Sequence, residues 1–212
     1  MAWHEAYDDP SSTLSARLKL VQAQLAGAID RAPAGPVRLV SLCAGQGHDV
    51  IGVLPGHPRR DDVSAVLVEA DRHNAEVARE HAARAGLAQV DVRHADASRV
   101  ASFADALPAD VLMLCGIFGN VSETDIEHTI AAAPALSAPG ATVIWTRHRR
   151  PPDLTPRFRA LFAVAGFEEV AFGSPEAAPQ IGVGAVRLRA TAGAPVPRAS
   201  GPGEPLFIFG PE

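Results

Sequence analysis

The sequence predicts an α/β fold: a seven-stranded, mostly parallel sheet with helices on both faces and an antiparallel strand pair at the C-terminal end. Three observations carry that expectation. Continuous apolar runs recur at 37–42, 63–68, 90–93, 111–114 and 141–145, the pattern of strands buried on both faces. Stretches with helical spacing alternate with them, near 47–54, 72–85, 98–106, 123–136 and 155–165, as crossovers between parallel strands require. The last two apolar runs, 167–172 and 183–189, are joined only by 173–182. That is too short for a crossover helix, so they should pair antiparallel.

The elements before and after this unit read as follows. Ser11, Ser12 and Thr13 offer N-caps, and Leu14, Leu18, Val21, Leu25 and Ile29 recur at helical spacing, so 11–30 reads as a helix. Ala32-Pro33-Ala34-Gly35-Pro36 breaks it. After the sheet, 190–205 is rich in Pro, Gly and Ser without periodicity, and 206–209 is a short apolar stretch that suits an added edge strand. The expected organisation is an N-terminal helical lid over 1–36, a core over 37–190 and a tail over 191–212.

Composition narrows the function classes. At 212 residues, 47% hydrophobic and 20% charged, the chain can bury one full core and is not a disordered polypeptide. A net charge of -5 leaves no global positive field for nucleic acid. No apolar run approaches a membrane span and residues 1–5 do not resemble a signal peptide, so a soluble, cytoplasmic protein is expected. Cys43 and Cys115 are too few for a disulfide scaffold and lack CxxC spacing.

The chemistry should gather where an open parallel sheet binds ligands, beyond the carboxyl ends of its strands. The first strand runs into Cys43-Ala44-Gly45-Gln46-Gly47-His48-Asp49. Gly45 and Gly47 permit a sharp turn and a close backbone approach to a ligand. A dinucleotide fingerprint would need a third Gly or Ala where Val50 stands, so a nicotinamide site fits poorly. The second strand ends in Glu69-Ala70-Asp71. A carboxylate there can accept both hydroxyls of a ribose; the plainer reading of Glu69 is a solvated strand end. Asp71 reads as the N-cap of the next helix. The third strand ends His94-Ala95-Asp96-Ala97. Asp96 could accept from an adenine amino group and the amide of Ala97 could donate to the ring, or Asp96 could be another cap. The fourth opens into Cys115-Gly116-Ile117-Phe118-Gly119-Asn120.

In that order and spacing, these loops resemble the class I S-adenosylmethionine-dependent methyltransferases, of the small single-domain type, over 37–190. The resemblance implies a Rossmann-like sheet. It also implies S-adenosyl-L-methionine as cofactor, with S-adenosyl-L-homocysteine as product. Gly45 and Gly47 would hold the methionine end, with Cys43, Ala44, Cys115 and Gly116 nearby. Glu69 and Ala70 would meet the ribose, and Asp96 and Ala97 the adenine. The chain departs from the family at Ser41, where an acid is common, and at Cys43, where the first glycine is usual. Cys43 is therefore expected at negative φ, and Asp49 or backbone carbonyls would meet the methionine amine. Cys43 and Cys115 should approach each other, because the first and fourth strands neighbour in that family's sheet.

The acceptor is then expected over the fourth and fifth strand ends. Phe118, Asn120, Trp145, Arg147 and His148 are the candidate substrate contacts, and Arg147 with His148 would favour an anionic handle. In similar small-molecule methyltransferases an N-terminal segment shields the sulfonium. Here that points to Trp3, His4 and Tyr7, with His4, Tyr7 and Asn120 as candidate catalytic residues. His48/Asp49 and His94/Asp96 lack metal-ligand spacing, so no metal is expected. The reading is methyl transfer to O, N or S of a small molecule, in specialised metabolism, by a monomer or homodimer. RNA or protein methylation, and a non-catalytic cofactor-binding role, remain as alternatives.

Overall fold

The computed structural model describes residue 9, residues 12–189 and residues 205–209. Trp3, His4, Tyr7 and most of the 191–212 tail therefore lie outside the described residues. The chain runs α1 (Thr13–Arg31), β1 (Val37–Leu42), α2 (His48–Val53), β2 (Val63–Glu69), α3 (Arg72–Arg84), β3 (Val90–His94) and β4 (Ala109–Leu114). It continues with α4 (Glu123–Leu136), β5 (Ser137–His148), α5 (Thr155–Val164), β6 (Phe167–Gly173) and β7 (Ile181–Leu188).

Caps set the helix starts as the residue types demand. Ser12 accepts from the Ser15 amide at 2.9 Å, Asp71 from Asn74 at 2.8 Å and Ser122 from Asp125 at 3.1 Å. The strands form one sheet in the order β3-β2-β1-β4-β5-β7-β6. β1 to β5 are parallel, and β7 lies antiparallel between β5 and β6. Chain order reverses between β1 and β4, which is where such sheets bind ligands.

Alternate residues feed two cores. Val37 and Leu39 of β1, with Val111 and Met113 of β4, pack under α1, α2 and α3. Val40 and Leu42, with Leu112 and Leu114, pack under α4 and α5. Burial on both faces is why these strands read as unbroken apolar runs. α1 is built into the first face: Leu25 and Ile29 are fully buried, and the Arg59 guanidinium ties down the helix end through the carbonyls of Ile29, Ala32, Pro33 and Gly35.

Two local expectations are corrected. No helix forms over 98–106; two single 3-10 turns stand there, Val100–Ser102 and Ala104–Ala106. Phe103 separates them at φ -146 with its ring fully buried, a backbone angle no α-helix accepts. The apolar stretch 206–209 is not an edge strand either. Leu206 and Phe207 sink into the α4/α5 core, and only an isolated bridge joins Phe209 to Val121. Among the described residues, no helix is long and apolar enough to cross a membrane.

Candidate functional site

A cleft of about 1020 Å³ opens at the switch point, as large as the larger small-molecule sites. Its floor is the turn after β1. The amide of Gly47 donates to Ala44 O at 2.9 Å, and Gly45 and Gly47 stand at φ 56 and 73. At Gly47 a Cβ would come within 2.6 Å of Ile51 Cδ1 and 3.1 Å of Leu67 Cδ2, so any side chain would be strained by the left-handed angle and would also force the Ile51 side chain to shift. Cys43 corrects the expectation of negative φ: it stands at φ 55, alone among the described non-glycine residues in the left-handed region. The turn keeps the glycine-like backbone although the residue type has changed, at a steric cost of roughly 1–2 kcal/mol.

Glu69 is the organising carboxylate. It is 9% exposed, which excludes the solvated strand end. Its Oε2 accepts from the Gly45 amide at 2.7 Å and its Oε1 from the Asp71 amide at 2.8 Å. Its backbone carbonyl accepts from Ala95 at 3.0 Å. One residue therefore sets the relative positions of the loops after β1, β2 and β3, and each carboxylate oxygen still has a lone pair directed elsewhere.

Asp49 lines the cleft from the first turn of α2. Burial pushes its carboxyl above the usual carboxylate range, while the Val50 amide (2.8 Å) and the charge of Arg17 pull it back. Arg17 projects into the same cleft from α1. Cys115 faces this pair: burial raises its thiol, the Asp49 charge adds to that and Arg17 opposes it. Burial, with the charges of Glu69 and Asp96, pushes the Cys43 thiol up to about 12. Both cysteines are free and both line the cleft.

The loop after β4 forms the opposite wall. Gly116 turns at φ 79 and donates its amide to Thr146 Oγ1 at 2.9 Å. Asn120 closes the loop by donating Nδ2 to Gly116 O at 2.6 Å. Arg147 donates its guanidinium to Phe118 O and lies 5.6 Å from the centre of the Phe158 ring.

The cleft thus gathers Cys43, Ala44, Gly45, Asp49, Glu69, Cys115, Gly116 and Asn120 of the expected site. It does not gather the others. Phe118 and Trp145 are fully buried in an aromatic cluster with Phe158 and Phe162. The loop after β4 places Phe118, and β5 places Trp145, in the α4/α5 core, away from the cleft. Arg147 is spent on holding the β4 loop, and burial holds its pKa below the usual value. Burial, followed by the charges of Arg147 and Arg150, lowers His148, which favours the neutral ring. Asp96 is exposed beyond the end of β3 and accepts from the Ser98 amide and hydroxyl at 2.9 and 2.7 Å, a local side-chain turn that caps no helix, since the next turn begins at Val100 without a side-chain cap. Ala97 is buried, and the Ala70 carbonyl meets His94 Nε2 at 3.1 Å.

Several lining residues had no sequence signal: Arg17, Asn74, Ser122 and Phe209. Leu14, Leu18 and Val21 were visible as an apolar helix face, but nothing local says that this face overhangs a ligand cleft.

No protein-family model matches the chain, and no curated protein is similar to it by sequence. Solved structures are similar in fold. An O-methyltransferase family protein from Burkholderia thailandensis aligns at TM-score 0.67 and 16% identity, over 87% of this chain and 58% of that one. The chain therefore spans little more than half the length of that protein. Magnesium protoporphyrin IX methyltransferase from Synechocystis, solved with bound SAM, aligns at TM-score 0.63 and 10% identity, over 82% and 80%. A SAM-dependent methyltransferase from Thiobacillus denitrificans in complex with S-adenosyl-L-homocysteine aligns at 0.56 and 17%, over 80% and 91%. The chain has the class I methyltransferase fold, seven strands with an antiparallel last strand inserted between the fifth and sixth. What the site does is a separate question, because one fold hosts many chemistries.

Proposed function

We propose that the protein transfers a methyl group from S-adenosyl-L-methionine to a small-molecule acceptor and leaves S-adenosyl-L-homocysteine. The carrying observation is the join between Glu69 and the Gly45 turn, which places a carboxylate beside a close-approach backbone at the switch point. The donor set suits the cofactor: Glu69 for ribose hydroxyls, Asp49 for the methionine ammonium, Arg17 for its carboxylate. The base would extend past Glu69 towards Asp96, which stands close enough to raise the Cys43 thiol.

When bound, S-adenosyl-L-methionine supplies a methyl group already activated on a sulfonium, so the chain need only bind, orient and exclude water. The Gly116–Asn120 loop, braced by Thr146 and Arg147, forms the rigid wall against which an acceptor is oriented. Asn120 is held at that wall by its bond to Gly116 O and is the proposed positioning residue. The cleft's volume exceeds what one nucleoside-sized ligand needs, which supports a small second ligand.

Calorimetry with S-adenosyl-L-homocysteine, followed by transfer of labelled methyl to a metabolite panel, tests this. Micromolar binding and transfer to a small molecule are expected. Binding without transfer to any small molecule, protein or RNA would identify a non-catalytic binder, and absence of binding would overturn the reading.

A further inference from the structure

Resting on the methyl-transfer reading above, we infer that the returning C-terminal segment is part of the cofactor site. Residues 205–209 form a clasp across the loops after β3 and β4, and the Phe209 ring stacks on the purine of S-adenosyl-L-methionine.

The segment is fastened to both loops. The Leu206 amide donates to Ser98 O at 2.8 Å. Ser98 is buried, and its own amide and hydroxyl donate to Asp96 Oδ1, so Leu206 is joined to the same short turn that carries Asp96. On the other side, Thr129 Oγ1 of α4 donates to Leu206 O at 2.9 Å, and Phe209 bridges Val121 in the loop after β4. Leu206 and Phe207 are buried in the cluster that holds Ala97, and Cys43, Ala95 and Val121 pack against that cluster. The clasp therefore ties together the two loops that flank the path of the base from Glu69 towards Asp96.

Phe209 is the residue this clasp turns to the ligand. It lines the cleft, its ring is set edge-on to Phe207 at 5.5 Å, and it is 47% exposed. Val121, its backbone partner, is flanked by Asn120 and Ser122, and both of these line the cleft as well. An aromatic face with amide and hydroxyl groups beside it matches a purine, which combines a flat π-surface with a rim of nitrogen donors and acceptors. Aromatic side chains stack on such bases without any hydrogen-bond code. A reciprocal effect follows from linkage: if the base touches Phe209, cofactor binding holds the clasp down by the same factor by which the clasp strengthens the cofactor.

Calorimetry with S-adenosyl-L-homocysteine tests the contact. Phe209→Ala should weaken it at least fivefold, about 1 kcal/mol, and Phe209→Trp should stay within twofold of wild type. The ring is half in water, so melting temperatures near wild type should show that both variants fold. In proton NMR of the bound ligand, ring current should place the adenine H2 and H8 signals upfield in the wild-type complex relative to the alanine complex. In the unaltered protein, hydrogen exchange over 205–209 should slow when S-adenosyl-L-homocysteine is saturating. Wild-type affinity in Phe209→Ala, adenine signals that do not differ between the two complexes, or unchanged exchange over 205–209 would each overturn the inference and leave the methyl-transfer reading standing. If S-adenosyl-L-homocysteine does not bind the wild-type protein, both are overturned.

Discussion

Glu69→Ala should damage fold and site together, in amounts the structure sets. The carboxylate is nearly buried and accepts from two backbone amides at 2.7 and 2.8 Å. Hydrogen bonds to a charged acceptor contribute about 1.5–3 kcal/mol each. Because the site opens onto the cleft, water can enter the space left by the side chain and satisfy part of that loss. The expected destabilisation is therefore about 2–3 kcal/mol in total. For a domain of this length, with unfolding entropy of about 0.45 kcal/mol per degree, that is a drop of roughly 4–7 °C in Tm. Loss of the ribose contacts should separately weaken S-adenosyl-L-homocysteine by about 1–3 kcal/mol, roughly 5- to 150-fold. Glu69→Gln should melt about as early as the alanine variant, since its amide NH2 would face one of the two backbone donors. Calorimetry and thermal melting on the three proteins separate the two roles. An affinity within twofold of wild type would remove Glu69 from the cofactor site, and an unchanged Tm would show that it does not hold the loops.

Three further outcomes follow from neighbouring residues. Cys43→Gly should melt within about 1 kcal/mol of wild type, because relief at φ 55 offsets glycine's larger unfolded-state entropy. Cys43→Val should lose at least about 2 kcal/mol, and equal melting of the two variants would contradict the left-handed turn. With its thiol pushed up to about 12, Cys43 is about one part in ten thousand thiolate at pH 8. After allowing for the greater nucleophilicity of a more basic thiolate, iodoacetamide should modify it roughly 50- to 100-fold more slowly than in the unfolded chain, as read by mass spectrometry. Asp49 has a raised folded pKa, so its contribution to stability is full below the unfolded carboxylate value, near pH 4, and is lost as pH rises through the folded value. Wild-type Tm relative to Asp49→Asn should fall over that window, and a pH-independent difference would show that Asp49 titrates normally.

Much of the architecture can be read locally. Each of the seven strands falls where an apolar run stands, and β1 matches it residue for residue. Asp71 caps α3, and Ser12 and Ser122 cap the helices that follow them. The order of Gly45, Glu69 and the β4 loop along the chain locates the cleft, because the end of a parallel strand is also the edge where loops can meet a ligand. Burial period, Gly and Pro punctuation and capping residues all act within a few positions, so they leave their mark in the linear pattern.

The remainder depended on which distant groups met. Phe118 and Trp145 look like residues of a substrate mouth until α5 brings Phe158 and Phe162 against them and closes the cluster. Arg147 looks like an anion ligand until the carbonyl of Phe118, 29 residues earlier, takes its guanidinium. Phe209 reads as part of an added edge strand, and becomes a wall of the cleft because Thr129, 77 residues before Leu206, anchors that segment. Residue type states what a side chain can bind. Which partner reaches it first, and whether water is displaced when it does, is settled by packing between segments far apart in the chain, and no window of sequence contains that contest.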